Sequence, residues 1–311
     1  MRSPALCLLA FALLPALGCA GPAEAPPPVV DPVEAERIDQ INRLSEYLTN
    51  TPREDPVLLL NDLERMMISW QTEQRKGREK PLEHLINRKV VANFSSVADA
   101  FQGDTHERVL VAAWALGFSR VPENPLGIET RHIEALELIM PALGDAPDDV
   151  MRNLTLALWK IGDVNTPLQP VLDLAVNHHD AEVRANATLA LMTLLTEQTC
   201  ATARDTVLVA LTDSEPKVRL HAASVAARYP HLKTTRRIQL LLPDESSPLV
   251  RASMAKALGS AGERSSAPIL VSMLSSNRGI ETAYAHAALV AIFGIDYGED
   301  PEEWRRLLPD R

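Results

Sequence analysis

The densest group of side chains able to hold a metal ion or move a proton is His178-His179-Asp180. Imidazole is both a zinc ligand and a general base near neutral pH. These three residues fall in a turn, however, and Asp180 stands directly before a helical pattern, where a carboxylate accepts orphan amide hydrogens. Their expected state is a solvated turn with Asp180 spent as a helix cap. His106, His132, His221 and His286 are scattered without shared spacing. Cys200 has no neighbouring His or Cys motif that would activate its thiol, so it reads as a small, partly buried residue. Asp296, Glu299 and Asp300 are closely spaced acids, but the alternating acids, glycine and closing glutamate of a calcium loop are missing. No Gly-x-Ser-x-Gly elbow, Walker loop, Gly-x-Gly-x-x-Gly, His-Glu-x-x-His or Cys-x-x-Cys occurs. The expectation is therefore a protein without catalytic residues, cofactor or metal.

Composition narrows the class. The chain has 311 residues, 46% hydrophobic and 23% charged, with 4% aromatic residues and 13 glycines. That is enough apolar content for an ordered core. Ala and Leu dominate, which favours helix over a sandwich or barrel built from β-branched and aromatic runs. The formal net charge is −10. A phosphate backbone or an anionic bilayer surface asks for the opposite sign, so the net charge disfavours nucleic acid and peripheral electrostatic lipid binding, and neither is expected.

The elements follow from periodicity. Asp31-Pro32-Val33-Glu34 reads as a capping box, followed by Ile38, Ile41, Leu44 and Leu48 at helical spacing. Asp55-Pro56 starts a second helix with Leu59, Leu63, Met66 and Trp70 on one stripe. The cations that follow, Arg75, Lys76, Arg78 and Lys80, suit a helix C-terminus. From about residue 82 the chain repeats itself. Glu182-Val183-Arg184, Lys217-Val218-Arg219 and Leu249-Val250-Arg251 open helices whose apolar residues recur at i, i+4 and i+8. Each follows an acidic loop residue: Asp180, Asp213 and Asp244. Weaker copies begin near Arg108 and at Asp149-Val150-Met151, and a sixth covers Glu281–Phe293. A shorter helix precedes each one. A two-helix unit of roughly 32–35 residues, repeated, is the signature of a solenoid.

The acid and Val-Arg pattern resembles HEAT repeats, particularly the short bacterial HEAT-like kind, over five to six units. The resemblance implies an all-α, right-handed α-solenoid of stacked antiparallel helix pairs. It also implies a ladder in which Arg184, Arg219 and Arg251 reach acidic loops of neighbouring repeats, with Asp180, Asp213 and Asp244 as the acids. Met151 stands where an earlier arginine would be and Arg152 lies one place out, so the ladder is expected to be interrupted there. Small residues such as Ala187, Ala223 and Ala255 suit close helix approach. Residues 32–80 and 295–311 are expected to cap a repeat array at 81–294; the second cap is built on Asp300, Pro301, Glu303 and Trp304. In such arrays the second helices line a concave face. Trp159, Thr188, Ser224, Lys256 and Tyr284 are the expected contacts to a partner, and the Pro-containing stretch from Ser119 to Arg131 is an insertion into one face.

Met1-Arg2 followed by the apolar stretch Ala5–Leu17 is too short to span roughly 30 Å of hydrocarbon and reads as a signal sequence. Ala16-Leu17-Gly18-Cys19 resembles the bacterial lipobox. That implies removal of residues 1–18 and lipidation of Cys19, with Ala20 favouring the outer membrane. Residues 19–31, rich in proline, would then be a semi-rigid tether. The functional expectation is a lipid-anchored cell-envelope scaffold or adaptor, facing the periplasm and binding a protein or peptide. The alternative is an enzyme or enzyme-accessory subunit, as in HEAT-like proteins resembling phycobilin lyase subunits.

Overall fold

A computed structural model describes residues 55–120, 130–275 and 279–308. The signal sequence, Cys19, the tether, the first N-terminal helix pattern and most of the 119–131 insertion lie outside the described residues. Among the described residues the chain is all helical, without strands.

The first described helix, α1 (Pro56–Gln74), begins as its sequence dictates. The Asp55 carboxylate accepts from the Val57 amide at 2.8 Å, and Pro56 at the first position gives up no hydrogen bond. Leu59, Leu63, Met67 and Trp70 are buried along one side. Next come α2 (Lys80–Ala92), α3 (Phe94–Phe101) and α4 (His106–Leu116). Five further helix pairs follow: α5 (His132–Ala142) with α6 (Asp148–Ile161), α7 (Leu168–Asn177) with α8 (Ala181–Leu194), α9 (Arg204–Ala210) with α10 (Pro216–Arg228), α11 (Thr235–Leu241) with α12 (Pro248–Ala261), and α13 (Ala267–Leu274) with α14 (Gly279–Phe293). The chain closes on α15 (Pro301–Arg305).

Each pair buries one apolar stripe. Val183, Ala187 and Leu191 of α8 are inaccessible, as are Val218 and Ala222 of α10 and Val250, Met254 and Leu258 of α12. The second helices pack one on the next from α4 through α14, while the first helices meet one another more sparsely.

Close spacing along that row requires small residues. A Cβ placed on Gly259 of α12 would lie 2.7 Å from the Ala288 Cα of α14, and one on Gly117 would lie 2.9 Å from the Ala157 Cα of α6. Ala187, Ala223 and Ala255 are fully buried in the same row. At the far end, the Asp300 carboxylate accepts from the Glu302 amide at 2.9 Å. Trp304 is buried, packs edge-on against Tyr297 at 5.3 Å, and donates its indole N–H to the Gly298 carbonyl at 2.7 Å. The Glu303 side chain pairs with Arg306, three residues further along the chain.

Candidate functional site

The register of the stack is fixed by one recurring polar unit. Arg184 of α8 donates from Nε and Nη2 to the two carboxylate oxygens of Asp213 at 2.8 and 2.9 Å. Its Nη1 donates to the carbonyls of His178 and His179 in the turn before its own helix, at 2.8 and 3.0 Å. Arg219 repeats this with Glu245 at 2.7 and 2.8 Å, and with the carbonyls of Asp213 and Ser214. Arg251 pairs with Glu281 at 2.8 Å and with the Leu242 carbonyl at 2.8 Å. Each guanidinium therefore staples its own inter-helix turn to the acid of the next repeat, which is what a planar fork of donors does well.

The acids are placed by local chemistry. Asp180, Asp213 and Glu245 each accept the backbone amide two residues on, from Glu182, Glu215 and Ser247 at 2.9, 2.9 and 2.8 Å. Burial raises the pKa of Asp213 and Glu245, but the arginine and amide hydrogen bonds outweigh it and hold both below the ordinary carboxylate range. For Asp180 the hydrogen bonds from Arg152 are the largest influence, and its pKa falls to about 2.

Two sequence expectations are corrected here. Asp244 is not the acid of the third rung; Glu245, one residue on, fills that place. The ladder is not interrupted at Arg152, whose Nε lies 3.2 Å from both Asp180 oxygens. A further rung precedes it, from His106 Nε2 to Asp149 Oδ2 at 2.7 Å. Arg152 enters its helix one position later than the other arginines and is 45% exposed, against 15% for Arg219.

The five residues expected to meet a partner divide. Lys256 is exposed on α12 and Tyr284 is 39% exposed on α14. Trp159 on α6 is partly buried against the core, and its carbonyl accepts from Thr193 at 2.9 Å. Ser224 on α10 sits at a helix–helix contact, 3.1 Å from the Ser253 hydroxyl of α12. Thr188 is fully buried and donates its hydroxyl to the Arg184 carbonyl at 2.8 Å, so it lines no surface.

Other groupings come from tertiary structure alone. Lys160 at the end of α6 pairs with Glu83 of α2 and lies 5.1 and 5.3 Å from the ring centres of Trp70 and Phe118. Trp70 donates its indole N–H to the same Glu83 at 3.0 Å. Burial pushes the Lys160 pKa down, against the pull of Glu83. This box joins α1 and α2 to the repeats. Among the described residues, Asp148, His178 and His179 are grouped closely enough to hold a metal; Asp180, their sequence neighbour, is engaged by Arg152 and by its helix cap. Cys200 is buried, and its thiol donates to the Glu197 carbonyl.

Among curated proteins none matches the chain. The solved structure of human deoxyhypusine hydroxylase in complex with glycerol is similar at 13% identity and a TM-score of 0.36, over 85% of this chain and 100% of that one. Residues 204–289, which span α9 through most of α14, match the family model of HEAT repeats, so this part of the stack is a HEAT-repeat segment.

Proposed function

We propose that the chain is a lipid-anchored scaffold of the bacterial cell envelope, tethered through Cys19, that holds a protein or peptide partner along the row of second helices. The observation that carries the binding reading is the ladder together with what it leaves open. Charge-assisted rungs fix the helix pairs in register, and the row they align presents Lys256 and Tyr284 to solvent. A surface ordered before the partner arrives loses little conformational entropy on binding. The anchoring reading rests on the lipobox-like Ala16-Leu17-Gly18-Cys19 and the proline-rich stretch after it. No described helix is long and apolar enough to cross a membrane, so attachment by this route falls to the lipid.

Photo-crosslinking in intact envelopes tests the binding surface. A crosslinker at Lys256 or Tyr284 should trap the same discrete partner, while one at the exposed Leu240 of α11 should not. Equal labelling from both faces, or no discrete product from either inner position, refutes the reading. For the anchor, Cys19→Ser should move the protein from the detergent phase to the aqueous phase; a variant that still partitions with detergent rules out lipidation at Cys19.

A further inference from the structure

Asp148 and the pair His178-His179 are thirty residues apart in sequence but meet where the first turn of α6 faces the turn between α7 and α8. The two imidazoles stack with centroids 4.6 Å apart and an interplanar angle of 23°. Both direct Nε2 at the same carboxylate: His179 Nε2 lies 2.7 Å from Asp148 Oδ2, and His178 Nε2 lies 3.8 Å from Oδ1. One ligand atom from each of the three residues lies within 4.8 Å of the others. Donors about 2.0–2.2 Å from a common ion are a little over 3 Å apart, so the group closes on an ion by side-chain rotation alone. His179 is 76% exposed, with solvent beside its ring.

The backbone beneath is already fixed. Arg184 holds the carbonyls of both histidines, and Asp180 caps α8 immediately after them. Preorganised ligand-bearing backbone is what separates a site from a chance cluster on a mobile loop. His178 also lines an open cleft of about 500 Å³ between α5 and α7, with apolar walls that include Met140, Pro141 and Leu174. The site therefore has an open side next to a cavity. One contact opposes binding: His178 Nδ1 accepts the Asp180 amide at 3.1 Å, so in the neutral ring Nε2 carries the proton. An ion at His178 Nε2 requires that proton to move to Nδ1, which can then no longer accept the Asp180 amide, while His179 and Asp148 ligate without giving up a backbone contact.

We propose that Asp148, His178 and His179 form a binding site for one divalent transition-metal ion of the zinc class. Two imidazoles and one carboxylate suit zinc, cobalt, nickel or copper, and suit calcium and magnesium poorly because those ions want oxygen donors throughout. The ion would cross-link the α5–α6 pair to the α7–α8 pair beside the Arg152–Asp180 rung, while water or a ligand from the cleft completes its shell.

The test titrates untagged full-length chain with Zn²⁺ by calorimetry and with Co²⁺ by visible absorption. The expected result is one ion per chain. His179→Gln, at an exposed position, and Asp148→Asn should each weaken binding by about tenfold or more, with helical circular dichroism unchanged. His231→Gln, whose exposed ring pairs with Glu197 elsewhere, should leave binding intact. The absence of stoichiometric binding overturns the proposal, as does undiminished affinity in both His179→Gln and Asp148→Asn.

Discussion

Replacing Arg219 with methionine removes the Arg219–Glu245 rung while keeping the aliphatic stem. The change deletes two hydrogen bonds to Glu245 and two to the carbonyls of Asp213 and Ser214. Glu245 is 4% exposed and keeps the backbone amides of Ser246 and Ser247, so it becomes a buried carboxylate without its cation. Removing one member of a buried pair costs about 3–5 kcal/mol. The partial exposure of Arg219 and the two retained amides place this case near 3 kcal/mol, at about the low end of that range. Urea unfolding followed by circular dichroism, with hydrogen exchange to locate the loss, measures it. Exchange should rise first in α10 through α12, because a repeat array unfolds by units joined through nearest-neighbour interfaces.

The pH dependence supplies an independent check. In the wild type the Glu245 pKa is depressed on folding, so its contribution is complete above its ordinary value of 4.5 and disappears as pH falls through the lower folded value. In Arg219→Met burial acts against the two backbone amides alone, the folded pKa rises, and protonation relieves the buried charge. The penalty should therefore be largest near neutrality and shrink on acidification. Adding Glu245→Gln should recover part of the loss at pH 7. A penalty under about 0.5 kcal/mol, the range of ordinary surface substitutions, refutes the claim that the rung holds adjacent repeats together. So does a penalty that grows as pH falls.

The remaining expectations rest on the same geometry. Arg152→Met should cost much less than Arg219→Met, because its exposed pair with Asp180 is screened by water; equal losses in the two variants would show that exposure does not grade the rungs. Gly259→Ala should destabilise by about 1–3 kcal/mol, since the new methyl meets the α14 backbone, whereas Gly144→Ala, with open space at its Cβ, should fall within about 0.5 kcal/mol of wild type; denaturant midpoints distinguish them. Acid unfolding of the wild type should begin below about pH 4.5 as Glu245, Asp213 and Asp180 protonate. Circular dichroism unchanged down to pH 2 would contradict the depressed carboxylate values.

Helix positions were legible in the amino-acid order because their signals are local. Asp55-Pro56 and Asp300-Pro301 state a cap and a first turn within two residues, and both helices begin there. The apolar triplets Val183-Ala187-Leu191 and Val250-Met254-Leu258 state a buried stripe through 3.6-residue geometry, which no tertiary contact has to supply. The resemblance to HEAT repeats implied Arg184 and Arg219 as rungs, and both are. It could not choose between Asp244 and Glu245. Both are acids in one short turn, and the choice depends on which carboxylate the turn aims at the Arg219 fork. Nor could it see that Arg152, displaced by one position, still reaches Asp180 on its long side chain.

Thr188 looked like a surface residue because helical phase separates the core side from the rest. Phase alone does not say that both flanks of a stacked helix are also covered. The Lys160 box and the Asp148–His178–His179 group join residues from separate helices with no common spacing, so only packing brings them together. Local sequence thus determined where helices start, stop and turn their apolar sides, since those choices are made by neighbours along the chain. Which polar side chains find each other was decided by the stacking of one helix pair on the next, through distances of a few ångströms that no sequence interval encodes.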